Sequence, residues 1–254
     1  MKNLTATFDF LGGCYIIIRE SIREAMTRPF EGRLILDQIY QIGVRSLPLV
    51  LIVAVSSGMV MALQFGYGLA KFGGKLYVPK IVSLSIVREM GPVFACLMIA
   101  ARVGAGITSE LGSMKVTQQF DAMRALGTSP IKKIVVPRIL ACLISVPILA
   151  CMAINLGIIG GLFVGSYELG LDKHFYLQKM LGTIHLWDFA SGFGKSIFFA
   201  IFISIVSCFY GLRAEGGTQG VGTATTRSVV MSCILVVVGD YFLTKMFLVF
   251  EQWL

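Results

Sequence analysis

Arg88 and Glu89 are neighbours in a largely apolar run that begins at Ile81, and Asp240 lies in another, Ser228–Phe250. Ionised side chains are expensive there. An arginine at the middle of a membrane helix costs about 2.5–3.5 kcal/mol on insertion scales, so such residues face a cavity or one another. Two chemistries are open to Arg88 and Glu89: a polar lining for a lipid headgroup, or a structural ion pair near the outer membrane surface. Asp240 has the same choice, with Lys245 near enough in sequence to pair with it. Arg102 and Glu110, towards the end of the first run, fit structural ion pairing, with Glu110 holding Arg102 or Lys115.

Catalytic chemistry lacks its parts. Gly194-Lys195-Ser196 ends like a phosphate-binding loop, but that motif needs a glycine where Phe189 stands, and an apolar span follows. Gly216–Gly222 is glycine-rich without the dinucleotide fingerprint or a preceding strand, and is expected to be a flexible loop. His174 and His185 lack the spacing of a metal pair. The six cysteines show no CxxC spacing and mostly lie in apolar runs, where cysteine acts as a small hydrophobe. We expect no catalytic residue, no metal and no cofactor on this chain.

Composition sets the elements that must position these residues. Of 254 residues, 56% are apolar and 14% charged, and the mean hydropathy is +0.81. An ordinary soluble domain carries about 25% charge. A soluble fold of this size needs more wetted surface than this chain can supply. That excludes a soluble enzyme, a disordered chain and a secreted disulfide scaffold. A net charge of +8 could suggest nucleic acid, but the basic residues sit in short connections between apolar runs, a pattern that orients membrane helices. No nucleic-acid partner is expected.

About 20 apolar residues cross a bilayer core. Spans are predicted at about 46–70, 81–108, 139–167, 189–212 and 228–250, giving an all-α integral membrane protein with five transmembrane helices. Residues 1–45 form a separate amphipathic segment and lack the pattern of a cleavable signal peptide. Ile18, Ile22 and Met26 recur at helical spacing, with Arg19, Glu20, Arg23 and Glu24 between them. After Pro29, Ile35, Ile39 and Ile42 share one face opposite Asp37, Gln41 and Arg45. These are predicted to be helices in the membrane interface, or else packed on a partner or on the protein's own loops. Lysines and arginines are twice as numerous in the N-terminal segment (Arg28 among them) and after spans two and four as on the opposite side. This places the N-terminus in the cytoplasm and the C-terminus outside. Small residues recur every fourth position at Gly58, Ala62, Gly66, at Ala101, Ala105, Ser109 and at Gly157, Gly161, Gly165, which lets helix backbones approach closely, within one subunit or at a dimer seam.

The connection between spans two and three is unlike a passive loop. Val116, Phe120, Ala122 and Met123 can share one flank of a helix and Lys115, Gln119 and Arg124 another, while Gly127 suits a C-cap and Pro130 ends the helix. This predicts a cytoplasmic amphipathic helix of roughly three turns. Its apolar residues, Phe120 and Met123 above all, would need a partner surface or the bilayer interface.

The motifs Arg88-Glu89-Met90-Gly91-Pro92-Val93, Ala101-Arg102-Val103-Gly104-Ala105-Gly106, Glu110 through Met123, Val136-Pro137-Arg138 and Gly220 through Val230, followed by Asp240, occur in order. Over residues 40 to 245 the chain resembles the MlaE-type permeases, membrane subunits of lipid-transporting ABC systems. The resemblance implies a homodimer paired with two copies of a cytoplasmic ABC ATPase, which would carry ATP and magnesium. It also implies a periplasmic MCE-domain lipid carrier and a small STAS-domain protein. Met114–Leu126 would be the coupling helix seated in the ATPase, with Met114, Lys115, Val116, Gln118, Gln119, Phe120, Asp121, Met123 and Leu126 as its contact residues. Arg88, Glu89, Pro92 and Asp240 would be candidates for the lipid pathway. The implied function is ATP-driven movement of phospholipid between the bacterial inner membrane and the carrier, maintaining outer-membrane lipid asymmetry. Closure of the ATPases would push the coupling helices and tilt spans two and three around a lipid pocket at the dimer axis. The alternatives are a sterol, fatty acid or organic solvent as cargo, or an ion-coupled transporter with no ATPase.

Overall fold

The computed structural model describes residues 2–27 and 32–253. Arg28 and Pro29 lie outside the described residues. Among the described residues every regular element is a helix and none is a strand. An N-terminal helix α1 (Lys2–Ala25) precedes α2 (Gly32–Ile42) and α3 (Leu47–Ala70). The second span is built from α4 (Val78–Ser85), α5 (Gly91–Ile99) and α6 (Ala105–Val116), joined by π-helical turns at Ile86–Met90 and Ala100–Gly104. Then come α7 (Gln119–Ala125), a π-turn at Ile131–Val135, α8 (Val136–Tyr167), α9 (Lys173–Leu181), α10 (Leu186–Leu212) and α11 (Gly217–Trp253). Five stretches are long and apolar enough to cross a membrane: Gly32–Ala70, Lys75–Val116, Ile131–Tyr167, Leu186–Leu212 and Gly217–Trp253. The helices overrun the apolar windows because helical hydrogen bonding continues into polar sequence wherever the backbone permits it.

Three sequence expectations are corrected. Gly216–Gly222 is not a flexible loop. Gly216 and Gly217 turn the chain with φ of 86° and 70°, and α11 then runs on through Gly220 and Gly222. A Cβ on Gly220 would strike the Glu215 backbone, so this glycine is needed for the tight turn. The Met114–Leu126 segment is not one helix. Val116 ends α6, Gln118 adopts a left-handed φ of 58°, and α7 starts at Gln119. The third span begins before the predicted 139: Lys132, Lys133 and Arg138 already lie in helix, so the connector is shorter than expected.

The chain divides into two compact units. The first comprises Met1–Ser46, Ile99–Ser145 and Phe199–Val236. In it α1 buries Gly13, Ile17 and Ser21, spaced by four, and sets the Phe10 ring 5.1 Å from Phe209. Its other face exposes Ile18, Ile22 and Met26 together with Phe8, Leu11 and Tyr15, the apolar stripe that a helix lying in a membrane interface presents. Cys14 is half-buried against this packing, and burial pushes its thiol up to about 11. Buried hydroxyls join three helices of this unit: Thr108 Oγ1 lies 2.8 Å from Ser228 Oγ and 3.1 Å from the Ser207 carbonyl. Such bonds tie helices together where water is absent.

The second unit comprises Leu47–Met98, Val146–Phe198 and Val237–Leu254. Two of the small-residue stripes meet inside it. A Cβ on Gly58 would run into the backbone of Gly157, and one on Gly160 into Val55, so α3 and α8 touch backbone to backbone. Gly161 and Gly165 instead make room for Tyr176 of α9, which is fully buried with Val78, Val82 and Ile86. Burial pushes its phenol up to about 12. For these stripes the packing within one chain is what the structure shows. We expect Gly58→Ala to lower the thermal unfolding midpoint of the purified protein in detergent, since overpacking costs about 1–3 kcal/mol. Gly68→Ala, on the same helix with nothing within 4 Å, should leave it unchanged or slightly raised.

Candidate functional site

The π-turn at Ile86–Met90 carries both Arg88 and Glu89, and its cause lies just beyond it. Pro92 has no N–H, and its ring opposes a regular bond to the carbonyl four residues back, that of Arg88. The Gly91 N–H reaches instead to Ile86 O, which widens the turn. The Arg88 carbonyl is taken by a side chain from another helix, Lys195 Nζ at 3.1 Å. Pro92 itself is buried, and its ring would meet a Cβ on Gly192, so its contribution is to the backbone rather than to a lining surface.

Lys195 is the centre of the site. It is 1% exposed, and its ammonium lies 2.7 Å from Glu89 Oε2, 3.1 Å from Asp240 Oδ1 and 2.6 Å from Thr244 Oγ1. Arg88 forms a second focus beside it, donating through Nε to the fully buried Asp188 and through Nη2 to Glu251 at 2.8 Å. Asp188 also accepts the His185 N–H at 2.8 Å. A buried ammonium with several oxygen partners is the arrangement that makes a charge tolerable in an apolar surrounding. The cluster is not electrically even: two cations meet the four carboxylates of Glu89, Asp188, Asp240 and Glu251. The Glu89, Asp240 and Arg88 side chains are partly exposed, so a polar ligand can reach the rim of the cluster but not Lys195.

The structure thus gathers Arg88, Glu89 and Asp240 into one place, and brings them through residues that sequence reasoning missed: Asp188, Lys195, Thr244 and Glu251. Asp240 pairs with Lys195 and not with Lys245. Five residues is well off an integral number of helical turns, so Asp240 and Lys245 leave α11 in different directions. The available signal was Lys195 itself, a lone cation within an apolar run. Arg102 and Glu110 do not pair with each other, nor Glu110 with Lys115. Eight residues put Arg102 and Glu110 about 12 Å apart along a helix axis. Glu110 accepts instead from Arg138 Nη2 at 2.8 Å, and Arg102 donates to Ser46 Oγ at 2.6 Å.

In the first unit the connector forms another candidate. Phe120 does not wait for a partner surface: it is 3% exposed and packs within its own unit, with Gly13, Ile17, Pro130 and Phe209 lining the same cavity. The left-handed turn at Gln118 redirects the chain so that α7 folds back and buries this ring. Met114, Lys115 and Met123 are half-buried, whereas Val116, Gln118, Gln119, Asp121 and Leu126 face outward. Leu126 is 82% exposed, and Gly127, at φ 72°, ends the turn after it. Asp121 and Arg124 pair at 3.7 Å on the outer face.

Residues 35–246 match the model of the family described as Permease MlaE. The chain belongs to that family. This MlaE-family chain is also similar to named relatives along most of its length. It is 40% identical over 226 residues to a probable ABC transporter permease protein of Rickettsia typhi, covering 89% of this chain and 87% of that one. It is 34% identical over 212 residues to the intermembrane phospholipid transport system permease protein MlaE of Haemophilus influenzae, covering 83% and 81%. It is 29% identical over 232 residues to the chloroplastic protein TRIGALACTOSYLDIACYLGLYCEROL 1 of Arabidopsis thaliana, covering 91% of this chain and 66% of that one. The MlaE-family chain is a multi-pass membrane permease, and its connector and all of its charge cluster but Glu251 lie inside the matched region.

Proposed function

We propose that this chain is the membrane-spanning subunit of an ATP-driven transporter that moves phospholipid, or a related lipid, between the bacterial inner membrane and a periplasmic MCE-type carrier, and so maintains outer-membrane lipid asymmetry. ATP and magnesium belong to a separate cytoplasmic ATPase, and two copies of each assemble, with a small STAS-domain protein beside the ATPase. The N-terminus and the connector are cytoplasmic and the C-terminus is periplasmic. The observation that carries this reading is the connector: a short helix anchored by a buried Phe120, joined to two spans, and presenting an outer face with Gln119, Asp121 and Leu126 that nothing in its own unit covers. The names of the Rickettsia and Haemophilus relatives point the same way.

On this reading the ATPases, on closing, press on the turn at Gln118 and on α7. The buried Phe120 transmits that displacement to the helices on which it packs. Binding must differ between two states for the push to do anything. Arg88, Glu89 and Asp240 then form a polar rim for the lipid headgroup, and Lys195 holds them. A pull-down from native membranes, followed by mass spectrometry of bound lipid, tests both partner and cargo: an ATPase in equal number and a phospholipid are expected. An active chain with no ATPase would overturn the proposal. Leu126→Asp should weaken ATPase capture about 30-fold, as loss of a buried interface residue worth about 2 kcal/mol does, with insertion unchanged. Full capture by that variant would remove the connector from the interface.

A further inference from the structure

Beneath the connector, within the first unit, is a cavity of about 220 Å³ that the transport reading does not use. Ile16, Phe120, Phe209 and Leu212 make its apolar wall, while Lys115, Arg124 and Arg213 bring positive charge to it and Glu20 is its one acid. Arg213 is held in place by packing. Its guanidinium lies over the Phe209 ring at 4.5 Å, and its Nη2 would stand 3.1 Å from a Cβ on Gly13, so α1 approaches it closely only because residue 13 is glycine. Among the described residues neither Arg213 nor Lys115 has a salt-bridge partner, and Arg124 has only the exposed one with Asp121. An excess of uncompensated cations therefore borders an apolar wall. That wall reaches the exposed apolar surface of α1, since Ile16 lines the cavity and is itself half exposed.

We infer that this cavity binds the phosphate headgroup of an anionic phospholipid from the leaflet in which α1 lies. Its volume suits that ligand. A liquid water occupies about 30 Å³, so the space takes a headgroup but not a whole lipid. The acyl chains lie outside it, along the exposed face of α1. Basic pockets at the ends of membrane helices recognise anionic lipids in this way. The site is separate from the Lys195 cluster, which belongs to the other unit. Because Phe120 forms part of the wall, an occupied site joins α1 to α7 and stiffens the connector. That consequence, and the assignment to the cytoplasmic leaflet, rest on the function proposed above; binding itself does not.

The test uses the complex as it copurifies, placed in nanodiscs of phosphatidylcholine alone or with phosphatidylglycerol. Retained lipid is then counted by native mass spectrometry without nucleotide, so the result is independent of coupling. Phosphatidylglycerol should be retained over phosphatidylcholine. Arg213→Gln should reduce its retention about tenfold, the effect of losing one charge-assisted hydrogen bond. Arg33→Gln removes an exposed cation outside the cavity and should change nothing. Added inorganic phosphate should not displace the lipid. Equal retention of both lipids, equal losses from Arg213→Gln and Arg33→Gln, or displacement by free phosphate would each overturn the inference. Should Arg213→Gln fail to insert, Lys115→Gln carries the same comparison.

Discussion

Replacing Lys195 with methionine will destabilise this protein more than removing any of the carboxylates around it. Methionine fills a similar volume, so the effect isolates the charge. Breaking a buried ion pair by deleting one partner costs about 3–5 kcal/mol, because the other is left uncompensated. Here two partners are orphaned, Glu89 and Asp240, and Thr244 and the Arg88 carbonyl lose a donor as well. The side chains of Glu89 and Asp240 are 31% and 22% exposed, so water offsets part of the loss and the lower end of that range is expected. The triple variant Lys195→Met, Glu89→Gln, Asp240→Asn removes all three charges and should recover most of the stability. Thermal unfolding of purified protein in detergent reads both. A single variant as stable as the parent would mean that Lys195 is solvated rather than held. The recovered triple variant, assayed for lipid transport, then separates a structural cluster from a headgroup rim: the rim requires that transport stay lost when stability returns.

Phe120→Ala will behave differently from Leu126→Asp, although both lie in the connector. Phe120 is an anchor, and truncating a buried phenylalanine costs about 3–5 kcal/mol, so the variant should unfold at lower temperature and also capture less ATPase. Leu126 is almost fully exposed and should affect capture alone. The pair distinguishes a lever that is held by its own chain from one that is held by its partner. If Phe120→Ala weakens capture with no change in thermal stability, the ring lies in the partner's groove and the packing described here is wrong for the assembled transporter.

Much of the architecture was legible without coordinates. Apolar runs of bilayer length report helices because every backbone polar group must be satisfied within its own segment in lipid. The helical period of the N-terminal segment was equally readable, since Ile18, Ile22 and Met26 recur on one side of the chain and are exposed together. The expense of a charge in an apolar run marked Arg88, Glu89 and Asp240 by residue type alone. Periodicity was a poorer guide to the connector. The pattern from Val116 to Met123 is compatible with one helix, but a left-handed Gln118 breaks it, and beyond that turn Phe120 is buried.

What remained for the tertiary structure was partnership. Residue type tells that Asp240 needs a counter-charge; which one depends on how far apart two helices lie and how each is rotated, and Lys195 is 45 positions away in the chain. The same holds for Glu110, whose partner Arg138 comes from the next span, and for Pro92, whose effect is visible only through the carbonyl it frees and the ammonium that takes it. Composition and period decide which segments leave water and which face they hide, because those are properties of one segment against its solvent. Pairing and packing are properties of two segments against each other, and only the folded chain sets them.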